Sequence, residues 1–156
     1  MALPSEWVEK ARVLFSDARR HLEEGHYWLT CFEAQQAAEL FLKALLVTLT
    51  GTHPFTHDLV ELIDTLRDLG YEPPEELYTY ADALTPHYTM ARYPGRKPVR
   101  YGRGLGERCL RYAERIIRWV EDASKKLLVL KREQLLGLRP KIYELSAFNT
   151  LEVLFG

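Results

Sequence analysis

The sequence predicts an all-α fold, an up-and-down antiparallel helical bundle of five to six helices with one long C-terminal helix. Two observations favour it. Apolar residues recur at spacings of three and four along most of the chain, and the sequence has neither an alternating run of β-branched residues nor an Asn-Gly or Asp-Gly hairpin turn. The 156 residues suit one domain. We therefore predict a helical bundle over residues 1–136 and a C-terminal tail over residues 137–156.

The first two predicted helices differ in how much of their surface is apolar. Pro4 and Ser5 form a start signal for the first helix, whose single apolar stripe runs up to Gly25. The second helix spans residues 28–49 and is apolar nearly all round, which is typical of the central helix of a bundle. Gly51 ends this helix.

The next two helices are shorter. Thr56 is the predicted N-cap of the segment HDLVELIDTLRDLG, in which Asp58 lies near the positive end of the helix dipole and Gly70 marks the stop. Pro73 and Pro74 then open a fourth helix, since proline is favoured at the first helical position.

The longest predicted helix runs from about Gly104 to Gln134, roughly 45 Å at 1.5 Å per residue. Because it exceeds its neighbours, its excess could project from the bundle and pack against a second copy. Its apolar seam has heptad spacing: Cys109, Ala113, Ile116, Val120, Ala123, Leu127 and Leu130. Gly137 and Pro140 close it.

The tail that follows shows no single apolar period, so a short helix, an arm onto a partner and a disordered tail all stay open. Its LEVLF resembles the front of a viral protease site used in expression tags, and a vector origin for the last six residues is an alternative.

Composition excludes several classes of protein. The longest nearly apolar run, residues 40–49, is interrupted by Lys43 and is far shorter than a membrane span. The first ten residues lack the features of a signal peptide, so we expect a cytoplasmic protein. Cys31 and Cys109 lie far apart in two helical patterns, and we expect both to be structural thiols.

Charge is unevenly distributed along the chain. Residues 92–118 carry nine basic side chains against Glu107 and Glu114, a net charge of +7, whereas residues 55–85 carry eight acids against Arg67. This predicts a basic face and an acidic face, unless the two segments neutralise each other within the monomer.

Familiar catalytic and cofactor motifs are missing from the sequence. There is no G-x-x-x-x-G-K-[ST] phosphate loop and no H-E-x-x-H zinc motif, so we predict no metal site and no cofactor. The second helix carries Gln35, Gln36, Glu39 and Lys43. We interpret these as a surface stripe with a Glu39–Lys43 ion pair; alternatively, they face a partner or a cleft.

A basic, aromatic loop lies between the fourth helix and the long one. Its sequence, HYTMARYPGRKPVRYGRG at residues 87–104, holds three tyrosines, four arginines and a lysine. Tyrosine rings can stack on bases and the cations between them can contact phosphates, a combination typical of a site for a nucleotide or a single strand. The predicted binding residues are Tyr88, Tyr93, Arg96, Lys97, Arg100, Tyr101, Arg103, Arg108 and Arg111. His87 and Arg92 are the predicted pair for catalysis, an acid or base beside a cation.

Three segments together resemble a known family. AQQAAELFLKALL at residues 34–46, HDL at 57–59 and ARYPG at 91–95 are similar, in this order, to the small prokaryotic HEPN proteins encoded beside minimal nucleotidyltransferases. The resemblance covers about residues 5–130. It implies a helical bundle, a homodimer, a nucleotidyltransferase partner and a toxin–antitoxin or defence role that involves RNA or nucleotides.

Many HEPN proteins are metal-independent ribonucleases with the motif Arg, four to six residues, then His. No histidine follows Arg92 in this sequence, and Arg20 and His26, which have that spacing, lie at the end of the first helix. We therefore expect a nucleotide- or RNA-binding module. The alternatives are an endoribonuclease that uses His87 and Arg92, and a non-catalytic helical scaffold.

Overall fold

The helices of the computed structural model match the predicted fold class. The structure describes residues 2–95 and 99–137, and no strand occurs among them. The helices are α1 (Ser5–Glu23), α2 (Tyr27–Thr50), α3 (Leu59–Asp68), α4 (Glu75–Leu84), α5 (His87–Met90) and α6 (Arg103–Leu135). The predictions of an all-α bundle and of one long final helix are confirmed, since α6 has 33 residues.

Helix α2 lies at the centre of the bundle, as its apolar surface predicts. It packs against α1, α3, α5 and α6. Its buried apolar residues are Cys31, Ala34, Ala37, Ala38, Phe41, Leu42, Ala44, Leu45 and Leu46. The predicted seam of α6 is buried from Cys109 to Leu127. A helix that buries most of its surface leaves no solvated face for its polar residues, and this decides where the candidate site lies.

The start of α3 differs from the prediction. Asp58, rather than Thr56, is the N-cap, and its Oδ1 accepts a hydrogen bond from the Val60 backbone N–H at 2.9 Å. Thr56 Oγ1 instead accepts from the Asp58 N–H at 3.1 Å. Both residue types are good caps, and the helix starts later because residues 57 and 58 stay extended to reach α2 and α4.

A hydrogen bond ties the start of α3 to the end of α4. Thr85 Oγ1 accepts from the Leu59 N–H at 3.0 Å. Pro86 then separates α4 from the single turn of α5. The histidine of HDL and the first residues of the basic loop are thereby brought to the same side of α2.

The two cysteines form a disulfide, so the expectation of free structural thiols is wrong. Cys31 of α2 and Cys109 of α6 are bonded, with their Cα atoms 5.2 Å apart. Each lies on the buried stripe of its helix, and the packing of α2 on α6 places the two stripes in contact. Their separation of 78 residues hides this proximity in the sequence.

Residues 138–156, almost all of the predicted tail, lie outside the described residues, so its alternatives stay predictions. Within the described ranges, none of the helices is both long enough and apolar enough to cross a membrane.

Candidate functional site

Three polar residues of α2 point into the bundle. Gln35, Glu39 and Lys43 are all buried, and Glu39 is only 4% exposed. The interpretation of these residues as a surface stripe is therefore wrong, while the predicted ion pair is present, with Lys43 Nζ donating to Glu39 Oε1 at 2.8 Å. Burial of a charged pair is costly unless further hydrogen bonds satisfy it.

Glu39 is the centre of a hydrogen-bond network. Besides the bond from Lys43, its Oε2 accepts from Gln35 Nε2 and Gln36 Nε2, each at 3.1 Å. The fourth partner is His57, whose Nδ1 lies 3.0 Å from Glu39 Oε1. A carboxylate oxygen accepts in this contact, so the Nδ1–H of His57 points at Glu39 and Nε2 lies on the far side of the ring. The His57 side chain is 50% exposed, so Nε2 is open to a ligand.

Tyr88 stacks on one face of the His57 ring. The two rings are stacked with centroids 3.7 Å apart and planes 13° from parallel. Tyr88 also contacts Arg92, whose guanidinium carbon is 4.5 Å from the Tyr88 ring centroid, 4.7 Å from that of Phe32 and 5.2 Å from that of Tyr93. The Arg92 Nε–H donates to the Tyr88 carbonyl at 2.8 Å. Three aromatic rings and one carbonyl thus fix the cation without neutralising it.

The three sequence segments that carried the family resemblance therefore meet at one place. AQQAAE supplies Glu39 and its glutamines, HDL supplies His57, and ARYPG supplies Arg92 and Tyr93. Gln35 strengthens this junction, since its Nε2 donates to the His57 carbonyl at 3.0 Å.

A surface pocket of about 440 Å³ adjoins Arg92. Its lining is mainly apolar and aromatic, and two of its rings are well exposed, Tyr93 at 62% and Trp28 at 43%. The lining residues are Trp28, Met90, Ala91, Arg92, Tyr93, Pro94, Val99 and Tyr101. A concave apolar site with a fixed cation at its edge can hold a planar, anionic ligand. We call this set of residues the loop pocket.

His87 lies beneath the loop rather than at its surface. It is 6% exposed, and burial lowers the pKa of its imidazole, which favours the neutral ring. Its Nδ1 lies 2.7 Å from the Tyr101 hydroxyl, and burial raises the pKa of that tyrosine. The structure thus places the predicted catalytic histidine in the interior and Arg92 at the surface.

The predicted basic residues fall into three groups. Arg96 and Lys97 lie outside the described residues. Arg103 pairs with Glu107 at 2.9 Å and with Glu23 at 3.3 Å. Arg100, Arg108 and Arg111 are exposed and are not among the described residues that line the loop pocket. Of the predicted binding residues, the structure brings together Tyr88, Tyr93 and Tyr101 around Arg92 and His87.

The acidic segment does not neutralise the basic one within the described residues. The acids that pair with arginines of α6 are Glu23, Glu107 and Glu114, all outside residues 55–85, and Glu114 also pairs with Arg19. Arg100, Arg108 and Arg115 form no ion pair with another described residue. These three exposed arginines therefore keep their positive charge.

Three features of the site were missed in the sequence. Glu39 and His57 were not recognised as a pair, although the burial of α2 was a signal that Glu39 needed partners. Trp28, which the sequence indicated only as the start of the second helix, lines the loop pocket. Cys31, Cys109 and His87 come together in the interior, with potential ligand atoms within 4.8 Å of one another, and no sequence spacing indicated this.

Fold and site together define an all-α bundle protein with a polar, aromatic site along one side of its central helix. The model of the HEPN domain family matches residues 4–123 of the sequence. This match covers well over half of the chain, and the chain belongs to the HEPN domain family. No curated protein matches the sequence significantly.

Solved structures are similar over most of the chain. TT1696 from Thermus thermophilus is 34% identical, with a TM-score of 0.70 and coverage of 78% of this chain and 98% of that one. A HEPN domain protein from Thermotoga maritima, tm0613, is 30% identical, with a TM-score of 0.61 and coverage of 76% and 96%. ST0689, an archaeal HEPN homologue, is 27% identical, with a TM-score of 0.64 and coverage of 80% and 99%.

Proposed function

We propose that this chain is a HEPN-type module that binds a nucleotide or RNA at the loop pocket, as part of a toxin–antitoxin or defence system with a minimal nucleotidyltransferase partner. The observation that carries the proposal is the position of Arg92, held by three aromatic rings at the edge of a pocket lined by Trp28 and Tyr93.

The shape and composition of the loop pocket favour a nucleobase. Exposed rings of Trp28 and Tyr93 offer faces on which a base can stack, an interaction of about 1–3 kcal/mol per base. Stacking needs no particular base edge, so we expect weak sequence preference. Arg92 at the edge of the same pocket supplies the cation for the adjoining phosphate.

Electrostatic attraction extends this site beyond the pocket. Arg100, Arg108 and Arg115 are exposed and lack ion-pair partners among the described residues. Such cations attract a polyanion and make its affinity depend on salt. A single strand of RNA that follows them from the loop onto α6 would be bound more tightly than a mononucleotide.

The test is a titration of fluorescently labelled single-stranded RNA and of labelled nucleoside triphosphate, followed by anisotropy. Tyr93→Ala and Arg92→Gln should each weaken binding about tenfold, the value of a single stacking or charge-assisted contact. Arg100→Ser should weaken RNA binding, whereas Arg67→Ser, which removes an exposed arginine of the acidic segment, should not. Equal affinities for wild type and Tyr93→Ala would exclude the loop pocket.

A homodimer and a partner protein belong to the same proposal. Helix α6 is longer than its neighbours, and its second half exposes Leu128, Val129 and Leu135, followed by the exposed Leu136. Light scattering at micromolar concentration should give twice the mass of the chain, and Val129→Glu with Leu136→Glu should restore the monomer. A wild-type monomer that binds neither nucleotide, RNA nor a nucleotidyltransferase would contradict the proposed function.

Metal-independent RNA cleavage is the second candidate function, and the geometry of His57 favours it. His57 Nδ1 is held by Glu39, its ring is half exposed, and Tyr88 connects it to Arg92. A histidine oriented by a carboxylate can act as a general base, and a nearby guanidinium can stabilise charge on phosphate. The endoribonuclease predicted from the sequence uses His87 instead, and in that case the buried imidazole of His87 has to reach the substrate.

Incubation of labelled RNA in EDTA separates the two histidines. If His57 is the base, His57→Ala loses cleavage by about 10²-fold or more while His87→Ala retains it; if His87 is the base, the opposite holds. Arg92→Gln should lose cleavage in either case. RNA left intact by the wild-type protein would leave binding as the function of the site.

A further inference from the structure

We propose that Cys31, Cys109 and His87 form a zinc-binding site when the disulfide between the two cysteines is reduced. The proposed site lies in the interior of the bundle and shares no residue with the network of Glu39 and His57. It would give the chain two alternative states at one place, a disulfide or a metal centre.

Three helices supply the proposed ligands. Cys31 comes from α2, His87 from α5 and Cys109 from α6, and one ligand atom from each lies within 4.8 Å of the others. Zinc bonds thiolate sulfur at about 2.3 Å and imidazole nitrogen at about 2.0 Å, so ligand atoms around one ion lie roughly 3–4 Å apart. The nitrogen lies within 4.8 Å of the sulfurs, so a small side-chain rotation brings it to this distance, and after reduction the two sulfurs move apart by rotation about their Cα–Cβ bonds.

The chemistry of the donors matches zinc. Two thiolates and one neutral imidazole compensate the charge of a divalent ion, so the occupied site carries no net charge. This matters because all three residues are buried, and an uncompensated charge in the interior would be costly. Two cysteines, one histidine and an exchangeable fourth ligand form a known type of zinc coordination.

The surroundings of His87 resemble those of a metal-bound histidine. Its Nδ1 is hydrogen bonded to the Tyr101 hydroxyl at 2.7 Å, which leaves Nε2 for a metal. Metal-binding histidines commonly use their second nitrogen in this way, and the bond fixes the orientation of the ring. Tyr101 also lines the loop pocket, so its hydrogen bond to His87 connects the proposed zinc site with that pocket.

An external reductant supplies the two electrons that convert the disulfide into two thiols. A phosphine attacks the disulfide and takes up one oxygen from water, so that one disulfide, one phosphine and one water give two thiols and one phosphine oxide. Zinc binding then releases the two thiol protons to solvent, and two zinc–sulfur bonds form. A dithiol reductant achieves the same reduction by becoming a cyclic disulfide.

The experiment uses the full chain, reduced with a phosphine and desalted without oxygen. Titration with Co²⁺ should produce the near-ultraviolet charge-transfer absorption of cobalt–thiolate bonds, saturating at one ion per chain and disappearing when Zn²⁺ is added. A chromogenic chelator in competition gives the zinc affinity. The oxidised protein should show no such absorption.

Matched variants identify the ligands. Cys31→Ser with Cys109→Ser should lose the absorption, and His87→Asn should weaken zinc binding at least tenfold. Tyr101→Phe, which keeps the ring but not the hydroxyl, should weaken it about tenfold. His57→Asn, which changes an exposed histidine that is not a proposed zinc ligand, serves as the control and should bind zinc like the wild type.

Two results would overturn the proposal. One is a reduced wild type that binds zinc no more tightly than the double serine variant, and the other is full affinity in His87→Asn. Circular dichroism guards against loss of fold: if the reduced chain unfolds, one equivalent of Zn²⁺ should restore the helices, and a failure to do so counts against the site.

Discussion

The imidazole of His57 contacts both a buried carboxylate and an aromatic ring. The ring centroids of His57 and Tyr88 are 3.7 Å apart, and His57 Nδ1 is hydrogen bonded to Glu39 Oε1 at 3.0 Å. Through these contacts an exposed histidine is fixed by two residues that are distant from it in the sequence. Tyr88 in turn supports Arg92, so one ring contacts both the imidazole of His57 and the guanidinium of Arg92.

Loss of the Glu39 carboxylate should destabilise the protein strongly. In Glu39→Ala the Lys43 ammonium stays buried without its partner, which typically costs about 3–5 kcal/mol in the free energy of unfolding. Urea denaturation measures this value. Glu6→Ala is the matched control, because Glu6 and Lys10 form an exposed pair with the same spacing and should contribute less than about 1 kcal/mol. Equal losses for the two variants would contradict burial of the α2 network.

The ring of Tyr88 should matter for ligand binding, whereas its hydroxyl should not. Tyr88→Ala removes one of the three rings that hold Arg92, a contact of about 0.5–2 kcal/mol, so ligand affinity should fall roughly two- to thirtyfold. Tyr88→Phe keeps the ring and should bind like the wild type in the same anisotropy titration. If Tyr88→Phe also lost affinity, the support of Arg92 by the ring would not explain the effect.

Reduction of the Cys31–Cys109 disulfide should lower stability. The bond closes a loop of 78 residues, and cross-links of this kind typically stabilise a protein by about 2–4 kcal/mol. Thermal unfolding in the presence and absence of reductant, with a chelator to exclude metal, measures the difference. Cys31→Ser with Cys109→Ser should unfold at the same temperature under both conditions. A wild type that is indifferent to reductant would mean that the disulfide contributes nothing.

Tyr71 should make the protein less stable at high pH. It is buried, and burial raises the pKa of its phenol to about 12 from an ordinary value of 10. Because the folded-state pKa is the higher one, its contribution is fully present below pH 10 and is lost as the pH rises towards 12. Two pKa units correspond to about 2.7 kcal/mol.

Urea unfolding of wild type and Tyr71→Phe at several pH values tests this prediction. The stability difference between the two proteins should be constant below pH 10 and shift in favour of the phenylalanine variant above it. Ultraviolet absorbance of the phenolate gives the pKa directly. A tyrosine at this position that titrates near 10 would show that it is solvated.

Much of the fold followed from periodicity. The spacing of apolar residues located the helices, and the continuous apolar surface of α2 placed that helix at the centre, because such a surface is stable only when other helices cover it. The start of α3 was less well predicted, since both Thr56 and Asp58 are good caps and only contacts with α2 and α4 decide between them.

The sequence by itself determined the helices, the central position of α2, the basic character of the loop and the resemblance to the HEPN family. Only the tertiary structure decided that Glu39 is hydrogen bonded to His57, that Cys31 is bonded to Cys109, and that His87 is buried while Arg92 is partly buried at the edge of the loop pocket. The physical reason is that helix periodicity shows which face of each helix is buried. It does not show which residues of another helix lie opposite, because the register and rotation of packed helices depend on the shapes of all side chains in the core.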